Sequence, residues 1–384
     1  MAVSFLGRSD VSDLCLGKPR LRSLSESATV AEALAALKSS DESFISVWNK
    51  EGGVCVGKVC MVDVVCFLCK EESLLCPFSA LKTPLSHVLS KVPGLVMHLE
   101  PSSSLLEAID LILQGAQNLV VPILPTKKSS ISRRKHHLQK SSTISSHNGR
   151  EFCWLTQEDV IRFLLGSIGL FTPLPALSID TLGIITSDVL AIDYYSPASS
   201  AVGAISKSIT QQTSVAILDN DGTFIGEISP FNLACCDETV AAAIATLSAG
   251  DLMAYIDCGG PPEDLVTIVK ARLKEMNLEK MLQEFTILSP FNNDTSLTSS
   301  SSSDEESSMR TPERHRRSYS YSTRMVRKAE AVVCHPKSSL VAVMIQAIAH
   351  RVNYLWVIED DCSLVGIVTF SSILKVFREH LETI

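Results

Sequence analysis

Apolar residues follow the same order four times along this chain. In each copy, a polar stretch leads into apolar positions three or four residues apart, and these lead into two short apolar runs joined by a turn. The first spacing predicts an amphipathic helix. The two runs predict a hairpin, because Asp, Asn and Gly favour tight turns between strands. A second helix is predicted after each hairpin.

Each opening helix is predicted to begin where a hydroxyl can cap its first turn. The four caps are expected at Thr29, Ser104, Ser200 and Ser339. The predicted strand pairs are Phe44–Trp48 with Val54–Cys60, Leu119–Leu124 with Phe152–Leu155, Ser214–Leu218 with Thr223–Ser229, and Leu355–Ile358 with Leu364–Thr369. The second copy is longer than the others by about 22 residues, which indicates an insertion between its strands.

A short motif begins in the second hairpin strand of each copy and ends in the helix that follows it. It reads Gly, two residues, Ser or Thr, two residues, then Asp, and every copy departs from it at one position. The copies are Gly57, Cys60 and Asp63; Cys153, Thr156 and Asp159; Gly226, Ser229 and Asn232; and Gly366, Thr369 and Ser372.

Four such motifs at strand-to-helix junctions resemble the CBS domain, a β-α-β-β-α unit that works in pairs called Bateman modules. Outside its insertions, the chain looks most like plant four-CBS proteins of the CBSX type, which resemble the γ subunits of AMP-activated and SNF1-related kinases. The resemblance implies a mixed α/β (α+β) fold with four CBS repeats, arranged as two Bateman modules in a flattened disc.

The repeats are expected at residues 11–70, 84–171, 173–236 and 248–384. Repeat 2 would contain a basic insertion at 125–150, read either as a solvated hairpin tip or as a patch for an anionic partner. Repeat 4 would contain an insertion at 258–329, with 289–327 disordered. Its serines beside arginines fit phosphorylation or a passive linker. An amphipathic stretch at 263–288 is predicted to be one extra helix on the second module, with partner docking as the alternative.

The resemblance also implies where a ligand would bind. In CBS pairs, the motif Asp takes the ribose hydroxyls of an adenosine-type ligand, and the Ser or Thr supports its phosphate or sugar. The candidate ligand-binding residues are Asp63, Thr156, Asp159, Ser229, Thr369 and Arg351. Because only the first module has this Asp in both repeats, we expect a ligand at Asp159 and Thr156 first and at Asp63 second. The alternative role for both carboxylates is helix capping.

Phosphate groups have fewer candidate partners. The kinase γ subunits place His and Arg just before the second strand of the β-α-β-β-α unit, which is the first strand of each predicted hairpin. Here only His350-Arg351 is basic at that place. A polyphosphate without a cation would be costly to bind. Tight AMP sensing is therefore not expected, and adenosine-like, weak or lost binding are the alternatives. The resemblance leaves AMP, ADP, ATP or an adenosine-type molecule as the candidate ligands.

Composition narrows the function classes. The chain has 384 residues, 46% of them hydrophobic, and a net charge of −8. The negative charge argues against a nucleic-acid surface, and no apolar run reaches the roughly 18 residues that span a membrane. We expect no nucleic-acid or membrane partner. The expected location is the cytosol, with the nucleus as the alternative.

Catalytic and metal chemistry have little support in the sequence. Cys66 and Cys69 have metal-ligand spacing, but no second pair completes a zinc site, so packing cysteines are favoured over a metal site. No nucleophile motif or phosphate-binding loop is present, and no enzyme activity is expected. The resemblance then implies a non-catalytic regulatory or scaffold protein that binds a partner enzyme, such as a SNF1-related kinase. The alternative is a structural interaction protein whose nucleotide sites have decayed.

Overall fold

The computed structural model describes residues 6–39, 42–49, 53–123, 149–257, 261–288 and 330–383. The insertion at 289–327 lies outside the described residues, as does the insertion at 125–150 apart from its last two residues. Within the described ranges, the chain forms four three-stranded sheets, each belonging to one repeat, and we call these repeats units 1 to 4. Units 1 and 2 form the first module, and units 3 and 4 form the second.

All four sheets have the same topology. The first strand pairs parallel with the second, and the second pairs antiparallel with the third. The first strands have only two or three residues, too few for the hydrophobic pattern to reveal. In order, units 1 to 4 contain β1 (Ser23–Ser25), β2 (Phe44–Trp48) and β3 (Cys55–Cys60); β4 (Val96–His98), β5 (Asn118–Ile123) and β6 (Glu151–Thr156); β7 (Ala191–Asp193), β8 (Val215–Leu218) and β9 (Phe224–Ile228); and β10 (Val333–Cys334), β11 (Tyr354–Ile358) and β12 (Leu364–Thr369).

One helix joins the first two strands of each unit and another follows the third, which confirms the predicted β-α-β-β-α order. The helices are α1 (Val11–Leu14), α2 (Val30–Lys38), α3 (Met61–Leu68), α4 (Glu71–Leu75), α5 (Pro77–Ala80), α6 (Leu105–Leu113), α7 (Gln157–Gly166), α8 (Val202–Gln211), α9 (Pro230–Cys235), α10 (Val240–Thr246), α11 (Ala249–Asp257), α12 (Glu263–Glu275), α13 (Glu279–Leu288), α14 (Leu340–His350) and α15 (Phe370–Thr383). None of the helices within the described ranges is long and apolar enough to cross a membrane.

Three of the four predicted helix caps are confirmed. The side chains of Thr29, Ser104 and Ser339 each accept a backbone N–H from the first helical turn. The fourth was wrong, because the Ser200 hydroxyl donates instead to the Pro197 carbonyl at 2.7 Å, within a 3-10 turn that precedes α8. A hydroxyl pointed at a carbonyl does not stabilise the free N–H groups of a helix.

The stretch at 263–288 forms two helices, α12 and α13, rather than the single helix expected. The chain breaks at Asn277, whose φ of 58° is left-handed and ends a helical run. Both helices pack on α10 of the second module, and α13 also packs on α4 and α5, which follow unit 1. This stretch therefore contacts both modules, and not only the second.

Helices pack across the two modules to form two large cores. One core joins units 1 and 3, and includes the fully buried Val30 and Ile205. The other joins units 2 and 4, where Phe171 and Phe377 pack edge to face with their ring centroids 4.9 Å apart. Burial of apolar side chains in such cores makes the main favourable contribution to the free energy of folding.

Within each module, by contrast, the sheets of the two units face each other. In the first module, the rings of Trp48 and Phe152 lie 5.0 Å apart across this interface. In the second, the Glu227 carboxylate is only 6% exposed and accepts from the Tyr354 hydroxyl at 2.9 Å and the Trp356 indole N–H at 2.6 Å. Two hydrogen bonds offset part of the cost of burying this group.

The segments that precede the units are exchanged within each module. We call them leaders: leader 1 (residues 6–22), leader 2 (76–95), leader 3 (174–190) and leader 4 (247–257). Leader 1 hydrogen-bonds along unit 2, and leader 2 does the same along unit 1. Leaders 3 and 4 cross in the same way onto units 4 and 3. Each unit is therefore completed by chain that belongs to its partner unit.

Glu227→Ala should lower the free energy of unfolding by about 2 kcal/mol, because it leaves the buried Trp356 indole N–H without this acceptor and removes one partner of the Tyr354 hydroxyl. Glu227→Gln keeps one acceptor oxygen and should cost about 1 kcal/mol. Urea denaturation of the three proteins, followed by tryptophan fluorescence, measures the difference. Equal stability of the alanine variant and the wild type would show that this carboxylate does not hold the sheets together.

Candidate functional site

Asp63 stands at the start of α3, directly after the third strand of unit 1. Its Oδ2 accepts the backbone N–H of Cys60 at 2.8 Å, so the side chain does cap the helix. The same residue also lines a cavity. The sequence left capping and ligand contact as alternatives for this position. Asp63 caps the helix and also lines the cavity, so its position is compatible with both roles.

The cavity beside Asp63 has a volume of about 220 Å³. Its walls come from three units: Asp63 and Lys58 from unit 1, Gln117 from unit 2, and Thr210 from the end of α8 in unit 3, with residues 89–96 along one side. Pockets for drug-sized ligands measure about 300–1,000 Å³, so this one suits a small ligand. A molecule bound here would touch both modules at once.

Opposite charges line this cavity. Lys58 donates to the Asn118 side-chain oxygen at 2.5 Å and lies over the Phe44 ring, 4.8 Å from its centroid. Burial lowers the pKa of the Lys58 ammonium, although the nearby Cys60 and Asp63 oppose this. A second cation, Lys91, is exposed at the rim. The cavity therefore offers positive charge close to a carboxylate.

Burial also raises the pKa of Asp63, against the hydrogen bonds from Cys60 and the attraction of Lys58. When ionised, its carboxylate can accept two hydroxyl hydrogen bonds, as from a ribose diol. Lysine side chains can bind phosphate as point charges. The arrangement can thus bind a sugar and an anionic group side by side.

The structure brings Thr156 and Asp159 together at the start of α7. They form a capping box, in which Asp159 Oδ2 accepts from the Thr156 backbone N–H and hydroxyl, both at 2.7 Å. The same oxygen lies 2.5 Å from the Lys18 ammonium, which belongs to leader 1. This carboxylate therefore already has three donors within the protein.

The remaining predicted residues lie in the second module and are not joined to these. Ser229 is buried and caps α9 through the Phe231 N–H at 3.2 Å. Thr369 pairs with Ser372 at the start of α15. Arg351 is exposed, at the left-handed position that ends α14.

Unit 3 has a carboxylate that the motif does not predict. Asn232, which occupies the motif's Asp position, donates from Nδ2 to Asp257 Oδ1 at 3.0 Å. Asp257 is the last residue of α11, in leader 4. Burial raises its pKa to about 6, the Asn232 hydrogen bond opposes this, and the charge of Glu227 adds to it. The leader here supplies the acid that the motif position lacks.

Sequence reasoning missed Lys18, Lys58 and Lys91 as site residues. It searched for cations only before the second strand of each unit, whereas two of these lysines lie in leaders and the third within the motif itself. Their common position carried no usable signal: Lys18 and Lys91 each lie five residues before a first strand, β1 or β4, and those strands are too short to predict from the sequence.

Cys66 and Cys69 are partly buried thiols. Burial raises the pKa of Cys69 to about 12 and raises that of Cys66 as well, which disfavours the thiolate that a metal requires. In the part of the chain that the structure describes, no three His, Cys, Asp or Glu side chains form a group that could hold a metal ion.

Comparison with known proteins agrees with this architecture. Residues 324–379 match the CBS domain family. The whole chain is 52% identical to the CBS domain-containing protein CBSX5 of Arabidopsis thaliana and covers 99% of it. It is 21% identical to the SNF1-related protein kinase regulatory subunit gamma-like PV42b of the same plant, over 97% of this chain and 95% of that protein. Its fold is similar to that of protein MJ1225 from Methanocaldococcus jannaschii, with a TM-score of 0.54, 14% identity, and coverage of 96% and 100% of the two chains. The chain belongs to the CBS domain-containing proteins of the CBSX type.

Proposed function

We propose that this protein is a non-catalytic regulatory subunit or scaffold that binds an adenosine-type ligand in the cavity beside Asp63. The observation that carries the proposal is the cavity itself, where one carboxylate and two lysines surround a space of about 220 Å³. The sequence placed Asp159 and Thr156 first and Asp63 second. We reverse this order, because Lys18 is bound to Asp159 while Asp63 lines an open cavity.

AMP is the phosphate-bearing ligand that we place first. Its ribose would lie against Asp63 and its phosphate toward Lys91 at the rim. The small volume disfavours ADP and ATP, whose further phosphates would need more room and more cations. Because Thr210 of unit 3 lines the same cavity, a bound ligand would favour one relative packing of the modules, and a partner could read that shift.

We propose a kinase of the SNF1-related class as the partner enzyme. The proposal is supported by the similarity to a relative named as a gamma-like regulatory subunit of such a kinase. Decay of the nucleotide sites into a purely structural protein is the competing function, and unit 3 with Asn232 and unit 4 with Ser372 favour it locally. A measurement of ligand binding distinguishes a nucleotide-binding regulatory protein from a purely structural one.

Asp63→Asn should weaken AMP binding about tenfold or more. A charge-assisted hydrogen bond contributes about 1.5–3 kcal/mol, and each 1.4 kcal/mol is a factor of ten in affinity. Isothermal titration calorimetry on the purified chain measures this. Asn232→Ala, at the equivalent position of unit 3, is the matched control and should change little. Equal losses from both variants would place the ligand elsewhere.

Lys91→Ala should weaken AMP binding several-fold and leave adenosine binding unchanged, because only AMP carries a phosphate for the ammonium to attract. The same titrations with both ligands measure it. If both ligands lost affinity equally, Lys91 would be supporting the cavity wall rather than binding phosphate.

Adenosine binding should weaken on acidification, beginning at a pH above the range of an ordinary Asp, whose pKa is about 3.9. Burial raises the pKa of Asp63, so its carboxylate takes up a proton earlier as the pH falls and loses acceptor capacity. Titrations from pH 7.5 downward measure the pH at which half of the affinity is lost, and Asp63→Asn should show no such dependence. A wild-type midpoint no higher than the pKa of an ordinary Asp would contradict the proposed contact.

The partner proposal is tested by co-expression with the catalytic subunit of a SNF1-related kinase, followed by size-exclusion chromatography. We expect the two chains to elute together and the kinase activity of the complex to respond to AMP. Separate elution of the two folded proteins would reject this partner without affecting the ligand proposal.

A further inference from the structure

Two lysines occupy equivalent places in the exchanged leaders of the first module. Lys18 in leader 1 and Lys91 in leader 2 each lie five residues before the first strand of their own unit. Since the leaders cross, Lys18 reaches the motif carboxylate of unit 2 and Lys91 borders the cavity at that of unit 1. The same lysine position therefore serves two sites in one module.

The two lysines differ in what they contact. The Lys18 ammonium lies 2.5 Å from Asp159 Oδ2, and both side chains are only about one-fifth exposed, at 21% and 22%. Lys91 is exposed at the rim of the cavity beside Asp63. Lys18 is thus bound to the motif carboxylate Asp159, whereas the motif carboxylate Asp63 faces the cavity that Lys91 borders.

The Lys18 contact is held in place along the whole leader. Leu6 and Val11 are fully buried against unit 2. The backbone N–H groups of Val11 and Leu21 donate to unit 2 carbonyls at 2.9 and 2.7 Å. A side chain anchored on both sides has a high effective concentration at its partner, so a free ligand must compete with an intramolecular contact.

Chemistry makes this competition direct. A ribose diol binds a carboxylate by donating two hydroxyl hydrogen bonds. Asp159 Oδ2 already accepts from Thr156 twice and from Lys18, and the ammonium bond is charge-assisted and stronger than one from a neutral hydroxyl. A diol that donates to both carboxylate oxygens must therefore displace the lysine from Oδ2, which already has three donors.

We propose that Lys18 is an intramolecular competitor that closes the Asp159 site, so that a ligand entering the first module is directed to the cavity beside Asp63. This rests on the proposed function for the ligand class and adds a residue that determines which of two motif carboxylates is used. Lys18 does so without contacting the ligand.

Calorimetric titration of the full chain with adenosine tests the proposal, because adenosine has the ribose diol but no phosphate that would need the charge of Lys18. The wild type should bind one adenosine, and Lys18→Met should bind two, because Met keeps the aliphatic stem of the side chain but removes the charge. Lys18→Arg keeps the charge and should still bind one. Arg20→Ala is the matched control: it removes the neighbouring leader contact, 2.7 Å to Glu151, without touching Asp159, and should also bind one.

Double variants assign the new site. Lys18→Met with Asp159→Asn should return to one adenosine, and Lys18→Met with Asp63→Asn should retain one. Melting curves check that each variant is folded. If Lys18→Met bound no more adenosine than the folded wild type, the competitor proposal would be overturned, whatever the wild type binds. If instead the wild type bound none and Lys18→Met bound one through Asp159, the competitor would stand and the proposed Asp63 site would fail.

Discussion

The exchange of leaders within each module is the constraint on which the rest of the structure depends. Each leader lies across the partner unit and passes over the glycine position of its motif. At Gly366, an added Cβ would overlap the Thr186 carbonyl oxygen of leader 3, so no other residue fits without moving backbone. The two units of a module therefore cannot separate without each losing part of its own packing.

This exchange also determines the chemistry of the sites, because the last motif residue of units 1, 2 and 3 lies beside a leader from the partner unit. Asp63 lies in a cavity bordered by Lys91, and Asp159 is bound by Lys18. In unit 3 the acid is on the leader, as Asp257. A motif residue alone thus does not define a site. In our proposal, the leader residue Lys91 completes the first site and Lys18 closes the second. Asp257 replaces the acid that the motif of unit 3 lacks.

Local features of the fold were predictable from the sequence because they depend on near neighbours. The hairpins follow from apolar runs around Asp, Asn and Gly turns, and Thr29 caps its helix through Glu32, three residues away. The first strands were not predictable from pattern, since two or three residues carry no period. The contact between Lys18 and Asp159 was not predictable either, because these residues are 141 positions apart and meet only after the leaders cross. The roles of the leaders come from tertiary packing, which no local pattern records.

The two kinds of interface explain how a ligand could act at a distance. Sheets face each other within modules, whereas helices form the cores between modules, and the cavity at Asp63 is lined by both modules. A ligand in this cavity would contact both modules. It would favour one relative packing of the modules only to the extent that it binds that packing more tightly than the other. A crystal structure of the protein with AMP tests the Asp63 site most directly. We expect AMP beside Asp63 in contact with Lys91 and Thr210, with Lys18 still on Asp159. AMP bound at Asp159 or in the second module, with the Asp63 cavity empty, would contradict the proposed site.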